Sequence, residues 1–302
     1  MNFWNGGEFY GTPEYNSMTL LEQYFTQYPE DADKVVLSIK GALGPKLGPD
    51  GSAEGVRRSI DSVLKQLNGR KKLDIFECAR RDPTVPMEVT FGVMQEYIDK
   101  GLLGGISLSE VSASTIHEAV KHAKIVAVEV ELSMFAPDVL TNGVAAACAQ
   151  HNIPLVAYSP IGRGVSPALP PTTHNLTTLT SSQMLSGHFQ TLADIPAQLR
   201  PFPRFSPENF PHNLSLLTHV NALAQRKGCT PAQLAISWTR NLSRRPGMPL
   251  IIPIPGSTTV ARVDENAQHV ELTDAEMDEI DGILASFEIK GERYPDHISV
   301  NT

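Results

Sequence analysis

An α/β fold built on a parallel sheet is what this sequence predicts, on three observations. Short apolar runs recur along the chain, and most are followed by an amphipathic helical pattern. Strands that alternate with helices pair in parallel, because each helix returns the chain to the same end of the sheet. Polar, chemistry-bearing side chains gather at the C-terminal ends of those runs.

The elements follow in order. A stub at 2–5 leads into the run Gly6-Gly7-Glu8-Phe9-Tyr10-Gly11. The apolar run 35–40 closes on Lys40 and reads as a strand. A helix over 52–68 places Val56, Ile60, Val63, Leu64 and Leu67 on one face. Strands at 74–80, 105–110 and 127–133 alternate with helices at 87–100, 112–122 and 137–151, and Gly101 stops the second of these helices. A strand at 155–159 is bounded by prolines, and another follows at 250–254 with a short helix over 259–267. Helical patterns at 213–227 and 231–241 precede that last strand. Near the end, Thr273-Asp274-Ala275-Glu276 is a capping box, with Leu272 and Met277 placed as its hydrophobic staple. Ile280, Ile283, Leu284 and Phe287 continue the buried face of the helix it opens.

The Pro-, Thr- and Ser-rich stretch 162–209 is too long for a plain connection and predicts a functional loop with some local helix. The tail 290–302 is polar and irregular. With no repeats and no linker, residues 1–302 read as a single domain. A doubly wound sheet and a closed barrel both fit this alternation. The absence of a GxGxxG after a first strand weakens the dinucleotide-binding doubly wound alternative. Counting the stub, seven strands are visible where a (β/α)8 barrel has eight, and the deficit falls at the N-terminus.

Composition narrows the function classes. The chain has 302 residues, 41% hydrophobic and 19% charged, which suits one barrel-sized globular domain. A formal net charge of -8 argues against nucleic acid or an anionic membrane surface as partner, while leaving room for a local basic pocket. Cys78, Cys148 and Cys229 are odd in number, far apart and free of any CxxC pair, which argues against a disulfide framework or a metal site and for a reducing compartment. There is no apolar run of about 18 residues and no signal peptide at Met1, so the cytoplasm is the expected location.

The strand ends carry Tyr10, Lys40, Arg80 with Asp82, Ser109 with Glu110, Glu129 with Glu131, Tyr158-Ser159-Pro160 and Pro255-Gly256-Ser257. In a parallel barrel that end holds the active site. A phenol and an ammonium at the ends of neighbouring strands make a proton donor beside a carbonyl group: the phenol's pKa of about 10 falls toward working pH when a cation favours its phenolate. Trp4 reads as either a substrate contact or a strand-end anchor. His117, His122, His151 and His269 lack metal-ligand spacing.

The run Gly7-Glu8-Phe9-Tyr10-Gly11 resembles the signature around the catalytic tyrosine of the aldo-keto reductase family. Ala157-Tyr158-Ser159-Pro160-Ile161-Gly162-Arg163-Gly164 resembles a second family motif. Ile252-Pro253-Ile254-Pro255-Gly256-Ser257, with Arg262-Val263-Asp264-Glu265-Asn266, resembles a third. Pro203-Arg204-Phe205-Ser206-Pro207-Glu208-Asn209-Phe210 is typical of long-loop members, and the ensemble is most similar to the pyridoxal-reductase-like branch.

The resemblance implies a (β/α)8 TIM barrel that binds NADPH and transfers a hydride to an aldehyde or ketone, pyridoxal being the branch-level substrate. It makes Tyr10 the general acid and Lys40 its cation, and it puts Asn5 where the family has aspartate and Ala79 where it has histidine. It assigns Ser109, Glu110 and Glu129 to the nicotinamide carboxamide and Tyr158 to stacking on the ring. Ser159, Ile161, Gly162 and Arg163 would follow the pyrophosphate. Ser257, Thr258 and Arg262 fall at the adenosine 2′-phosphate, and Glu265 and Asn266 at the adenine. Arg262 is the reason to expect NADPH over NADH, since a guanidinium fits a phosphate with two parallel bonds.

A family member has a closing hairpin, a first strand and a first helix ahead of Tyr10. The expectation is therefore a barrel short of that segment, with the cost to folding that two unpaired strand edges bring. Two other functions fit the same residues: reduction of a secondary-metabolite carbonyl, and a non-catalytic NADPH-binding barrel, which Asn5 and Ala79 favour.

Overall fold

The computed structural model describes residues 2–12, 14–162, 184–186, 189, 191–197 and 199–295. They divide into two compact units, one of residues up to 130 with 143–155, the other of 131–142 with the described residues from 156 onward.

The first unit alternates β1 (Phe3–Gly7), α1 (Ser17–Gln27), β2 (Val36–Gly41), α2 (Ala53–Leu67), β3 (Leu73–Cys78), α3 (Met87–Asp99), β4 (Leu103–Ser109), α4 (Ala113–His122), most of β5 (Ile125–Glu131) and α5 (Val144–Gln150). Each strand from β1 to β5 pairs in parallel with the next. The register sets Gly7 opposite Lys40, Lys40 opposite Glu77, Glu77 opposite Ser107, and Ser109 opposite Glu129. Side chains alternate between faces along a strand, so this register gathers one row of polar groups on one face.

Helix α2 forms as its sequence predicts. Ser52 caps its N-terminus through the Gly55 N–H, Asn68 closes it in the left-handed region, and Val56, Ile60, Val63 and Leu67 are fully buried. Helix α1 is an addition to the sequence reading. Asn16 accepts from the Met18 and Thr19 N–H groups, the Thr19 hydroxyl oxygen accepts from the Asn16 N–H, and Met18, Leu21 and Phe25 are buried. Trp4 packs edge-on against Tyr24 at 4.9 Å and stacks on Phe25 at 5.6 Å, anchoring α1 to β1. The single helix expected over 137–151 is instead a 3-10 turn, Asp138–Leu140, and the short α5. Gly143, at φ 94°, breaks the run between them.

The second unit holds β6 (Leu155–Tyr158) from its second residue, α6 (Phe210–Lys227), α7 (Pro231–Asn241), β7 (Ile251–Ile254), α8 (Val260–Ala267) and α9 (Asp274–Ser286). The capping box at Thr273 and Glu276 is formed, and the staple pair Leu272 and Met277 is buried. In the long stretch 162–209 the described residues include 3-10 turns at Met184–Ser186, Leu192–Asp194 and Pro203–Phe205.

The run Pro203 to Phe210 has an architectural task. Arg204 donates to the Gly291 carbonyl (3.0 Å) and to that of Phe135, while Asn213 donates to the carbonyls of Arg204 (3.0 Å) and Lys290 (2.8 Å). Lys290 and Gly291, at the start of the polar tail, are thereby docked. Arg293 reaches buried Glu131 at 3.2 Å and the Tyr294 hydroxyl meets that of Tyr158 at 2.7 Å. Among the described residues no helix is long and apolar enough to cross a membrane.

Candidate active site

Tyr10 sits in the turn that leaves β1. Its N–H donates to the Gly7 carbonyl (3.0 Å), and its own carbonyl accepts from Ser17 (3.0 Å) at the start of α1. The Glu8 N–H donates to the Lys40 carbonyl (2.8 Å), extending the β1–β2 pairing to the turn. The ring lies against Gly7: a Cβ there would meet ring carbons at 3.0 Å. Tyr10 and Lys40 are close enough for their charges to interact.

Lys40 is 4% exposed, at the buried end of β2. Its ammonium lies 2.9 Å from Glu77 Oε1 and is paired with Glu129 Oε1. Glu77 Oε2 accepts from the Ser107 hydroxyl (2.7 Å), and Glu129 Oε2 accepts from the Asn5 amide (2.7 Å). Burial pulls the Lys40 pKa down, but the Glu129 and Glu77 carboxylates outweigh it and hold the pKa above the ordinary lysine range. Burial and the Glu77 carboxylate push Glu129 well above the usual carboxylate range, against the opposing pull of Lys40.

Glu77 is the residue the sequence reading left out. It faces Lys40 directly across the β2–β3 pairing. The signal was a lone charge inside the apolar run Ile75-Phe76-Glu77-Cys78-Ala79. Asn5 makes its contact with Glu129, and through it borders Lys40. Ala79 is buried at 3% exposure, and Arg80 donates to the Ala79 carbonyl at 2.6 Å. Asp82 accepts from the Gly51 and Thr84 N–H groups, a loop tie.

Of the residues expected to hold the nicotinamide, Ser109 and Glu110 lie at the end of β4 and Glu129 faces Ser109 from within β5, and all are buried. The Glu110 N–H donates to the Glu129 carbonyl (2.9 Å), and Glu110 has a left-handed backbone, φ 52°. Non-glycine residues adopt that region at some cost and do so preferentially at functional sites.

In the second unit, Tyr158 ends β6 half-buried, its carbonyl accepting from the Leu132 N–H (3.3 Å). Ser159 is left-handed, φ 52°, and its carbonyl accepts from Gly162 (2.9 Å), itself at φ 75°. Ile161 is buried and its carbonyl accepts from Leu185. Arg163 lies outside the described residues. Ser257, Thr258, Arg262, Glu265 and Asn266 all fall on the β7–α8 connection and α8. Ser257 donates to the Thr259 carbonyl (3.1 Å), Thr259 caps α8, and Arg262 pairs with Glu265 at 3.0 Å. Asn266 is buried.

A nicotinamide group fits the first-unit residues on one structural ground. The Ser109 hydroxyl is buried and has no hydrogen-bond partner among the described residues. A native fold tolerates few such groups, and a carboxamide, both donor and acceptor, would satisfy it. Among the described residues no three or more His, Cys, Asp or Glu are grouped to hold a metal ion.

Comparison with known proteins identifies the family and the fold. Residues 1–285 match the model of the aldo/keto reductase family. A Schizosaccharomyces pombe protein named probable pyridoxal reductase 2 is 37% identical over 303 residues, covering 97% of this chain and 84% of the relative. A Saccharomyces cerevisiae protein named as a candidate pyridoxal reductase is 34% identical over 313 residues, with the same coverages of 97% and 84%. Among solved structures, the thermostable aldo-keto reductase Tm1743, in complex with the inhibitor epalrestat, aligns with a TM-score of 0.63 over 92% of this chain and 81% of its own. At 20% identity that likeness shows a shared fold.

Proposed function

We propose a function from one premise: the chain belongs to the aldo/keto reductase family and has its barrel-type α/β fold. It is an oxidoreductase of that family. The proposed reaction is NADPH-dependent reduction of an aldehyde or ketone, and the proposed substrate is pyridoxal, yielding pyridoxine. The names of the two fungal relatives support that substrate. Lack of a membrane-crossing helix among the described residues accords with the cytoplasm as the proposed location.

The observation that carries the reading is that Tyr10, in the turn after β1, lies within electrostatic reach of the buried Lys40 on the paired strand β2. When bound, the nicotinamide cofactor supplies the hydride. Tyr10 gives its hydroxyl proton to the carbonyl oxygen as negative charge develops there. Lys40 favours the phenolate that remains. Ala79 presents only a methyl group, so the substrate oxygen takes its hydrogen bond from Tyr10.

Ser109, Glu110 and Glu129 are the proposed carboxamide partners, with Tyr158 the stacking ring. The choice of NADPH is supported by Ser257, Thr258 and Arg262 lying at the start of α8, where backbone N–H groups favour an anion. The Arg262–Glu265 pair is partly exposed, and such pairs contribute about 0–1 kcal/mol, so a phosphate displaces Glu265 at little cost.

The experiment is NADPH oxidation with pyridoxal, wild type against Tyr10→Phe. Loss of the general acid is expected to lower the rate about 10²- to 10⁴-fold. An unchanged rate removes Tyr10 from the proposed role. Tight NADPH binding without turnover on a panel of aldehydes and ketones would favour the second reading, a cofactor-holding barrel, which Ala79 and Asn5 support.

A further inference from the structure

Two carboxylates converge on one ammonium. Glu77 is 0% exposed, Glu129 1% and Lys40 4%, and both acids lie within ion-pair distance of the Lys40 nitrogen. Their remaining partners, the Ser107 hydroxyl and the Asn5 amide, are neutral donors. One cation balances one carboxylate, so two ionised acids would leave a net negative charge buried. Buried charges without a counter-charge take up a proton instead.

The other titratable groups nearby bring no compensation: Cys78, beside Glu77 on β3, is kept protonated by burial and by the Glu77 carboxylate and carries no positive charge. Tyr10, after β1, interacts with Lys40 and is neutral or negative. Glu110, after β4, touches Glu129 through its backbone N–H and adds acid, not base. Ser107 and Ser109 of β4 do not titrate in this range.

We infer that Glu77 and Glu129 hold one proton between them, leaving their cluster with Lys40 neutral, and that this proton sets the upper pH limit of Tyr10 as a proton donor. Burial and the neighbouring Glu77 carboxylate hold Glu129 above the usual carboxylate range, in keeping with a proton kept by the pair. The second half of the inference rests on the carbonyl-reductase reading; the first half does not.

The sign follows from the charges. While the pair keeps its proton, the Lys40 charge is balanced once, and a phenolate on Tyr10 meets a neutral cluster. When the pair loses it at higher pH, the cluster turns negative and opposes the phenolate. Tyr10 then becomes a weaker acid and turnover falls. Glu129→Gln locks the cluster neutral, so the alkaline limb of the pH profile moves upward.

Infrared spectroscopy of the cofactor-free protein, carbon-13 labelled in its glutamate side chains, tests the shared proton without turnover. At about pH 7 exposed carboxylates are ionised, so a protonated-carboxyl band comes from a buried acid. The expected result is one such band in wild type and its loss in Glu129→Gln. Glu77→Gln, which leaves one carboxylate against one ammonium, is expected to lose it too. Either variant suffices if it melts cooperatively. Absence of the band in wild type overturns the inference, as does its persistence in a folded variant, which assigns the proton to another glutamate. The pH profile of NADPH oxidation then separates the two claims. A band without turnover on any carbonyl substrate leaves the shared proton standing and sinks the reductase reading. Turnover without the band does the reverse. A band with turnover whose alkaline limb stays fixed in Glu129→Gln removes the link to Tyr10.

Discussion

The hydroxyl of Tyr294 lies 2.7 Å from the hydroxyl of Tyr158, joining the C-terminal tail to the ring proposed to stack on the cofactor. Tyr294 in turn packs near Phe202, ring centroids 6.0 Å apart. A tyrosine whose far end is tethered is held in one orientation. Tyr294→Phe keeps the ring and removes the tether, a change of about 0.5–1.5 kcal/mol. NADPH affinity, read by fluorescence titration, is expected to fall about 2- to 12-fold. An unaltered Kd would mean that packing alone orients Tyr158.

Gly7 and Gly92 make opposite predictions for the same substitution. A Cβ at Gly7 would press on the Tyr10 ring at 3.0 Å, a separation at which the ring must shift. Gly7→Ala is therefore expected to lower kcat by displacing the general acid. Gly92 lies on the exposed side of α3 with nothing within 4 Å of the added carbon. Gly92→Ala is expected to raise stability by about 0.5–1 kcal/mol through helix propensity, with turnover untouched. Thermal melts and steady-state rates on the two variants check both.

What was legible in the chain was local. Tyr10, Lys40 and the caps of α2 and α9 are written in short runs, where a few neighbours decide the conformation. Glu77 acquires its meaning only from the β2–β3 register, which sets it opposite Lys40. Glu129 meets Lys40 from a strand that is not its sheet neighbour, a contact no periodicity encodes. The stripe Met18, Leu21 and Phe25 did carry helical spacing, and Asn16 is a good N-cap, so the signal for α1 was present in the chain. The tail hid its role differently. Arg293 and Tyr294 fall in a polar, irregular stretch, and their partners lie 162 and 136 positions away in the chain.

Cys148 predicts a pH dependence. Burial within α5 pushes its thiol up to about 12, above the ordinary 9.0. A raised pKa means the folded state keeps the proton after the unfolded state has lost it. Stability is thus unaffected below the unfolded value and falls as pH rises from it toward the folded one. Urea melts of wild type and Cys148→Ala should diverge in slope above about pH 9, wild type losing up to about 1.4 kcal/mol per pH unit relative to the variant. Parallel slopes would show that the thiol does not feel its burial.

The ion pair of Arg293 with Glu131 predicts the largest change in stability. Both side chains are nearly sealed from solvent, 8% and 4% exposed, at 3.2 Å. Removing one partner of such a pair strands the other charge and costs about 3–5 kcal/mol, whereas replacing both by well-fitting uncharged groups is often close to neutral. Arg293→Met alone should therefore destabilise strongly, and Glu131→Gln added to it should restore most of the loss. Urea unfolding of the wild type, the two single variants and the double variant measures the coupling. If Arg293→Met costs less than about 1 kcal/mol, in the range of an exposed pair, the tail does not hold Glu131 in solution.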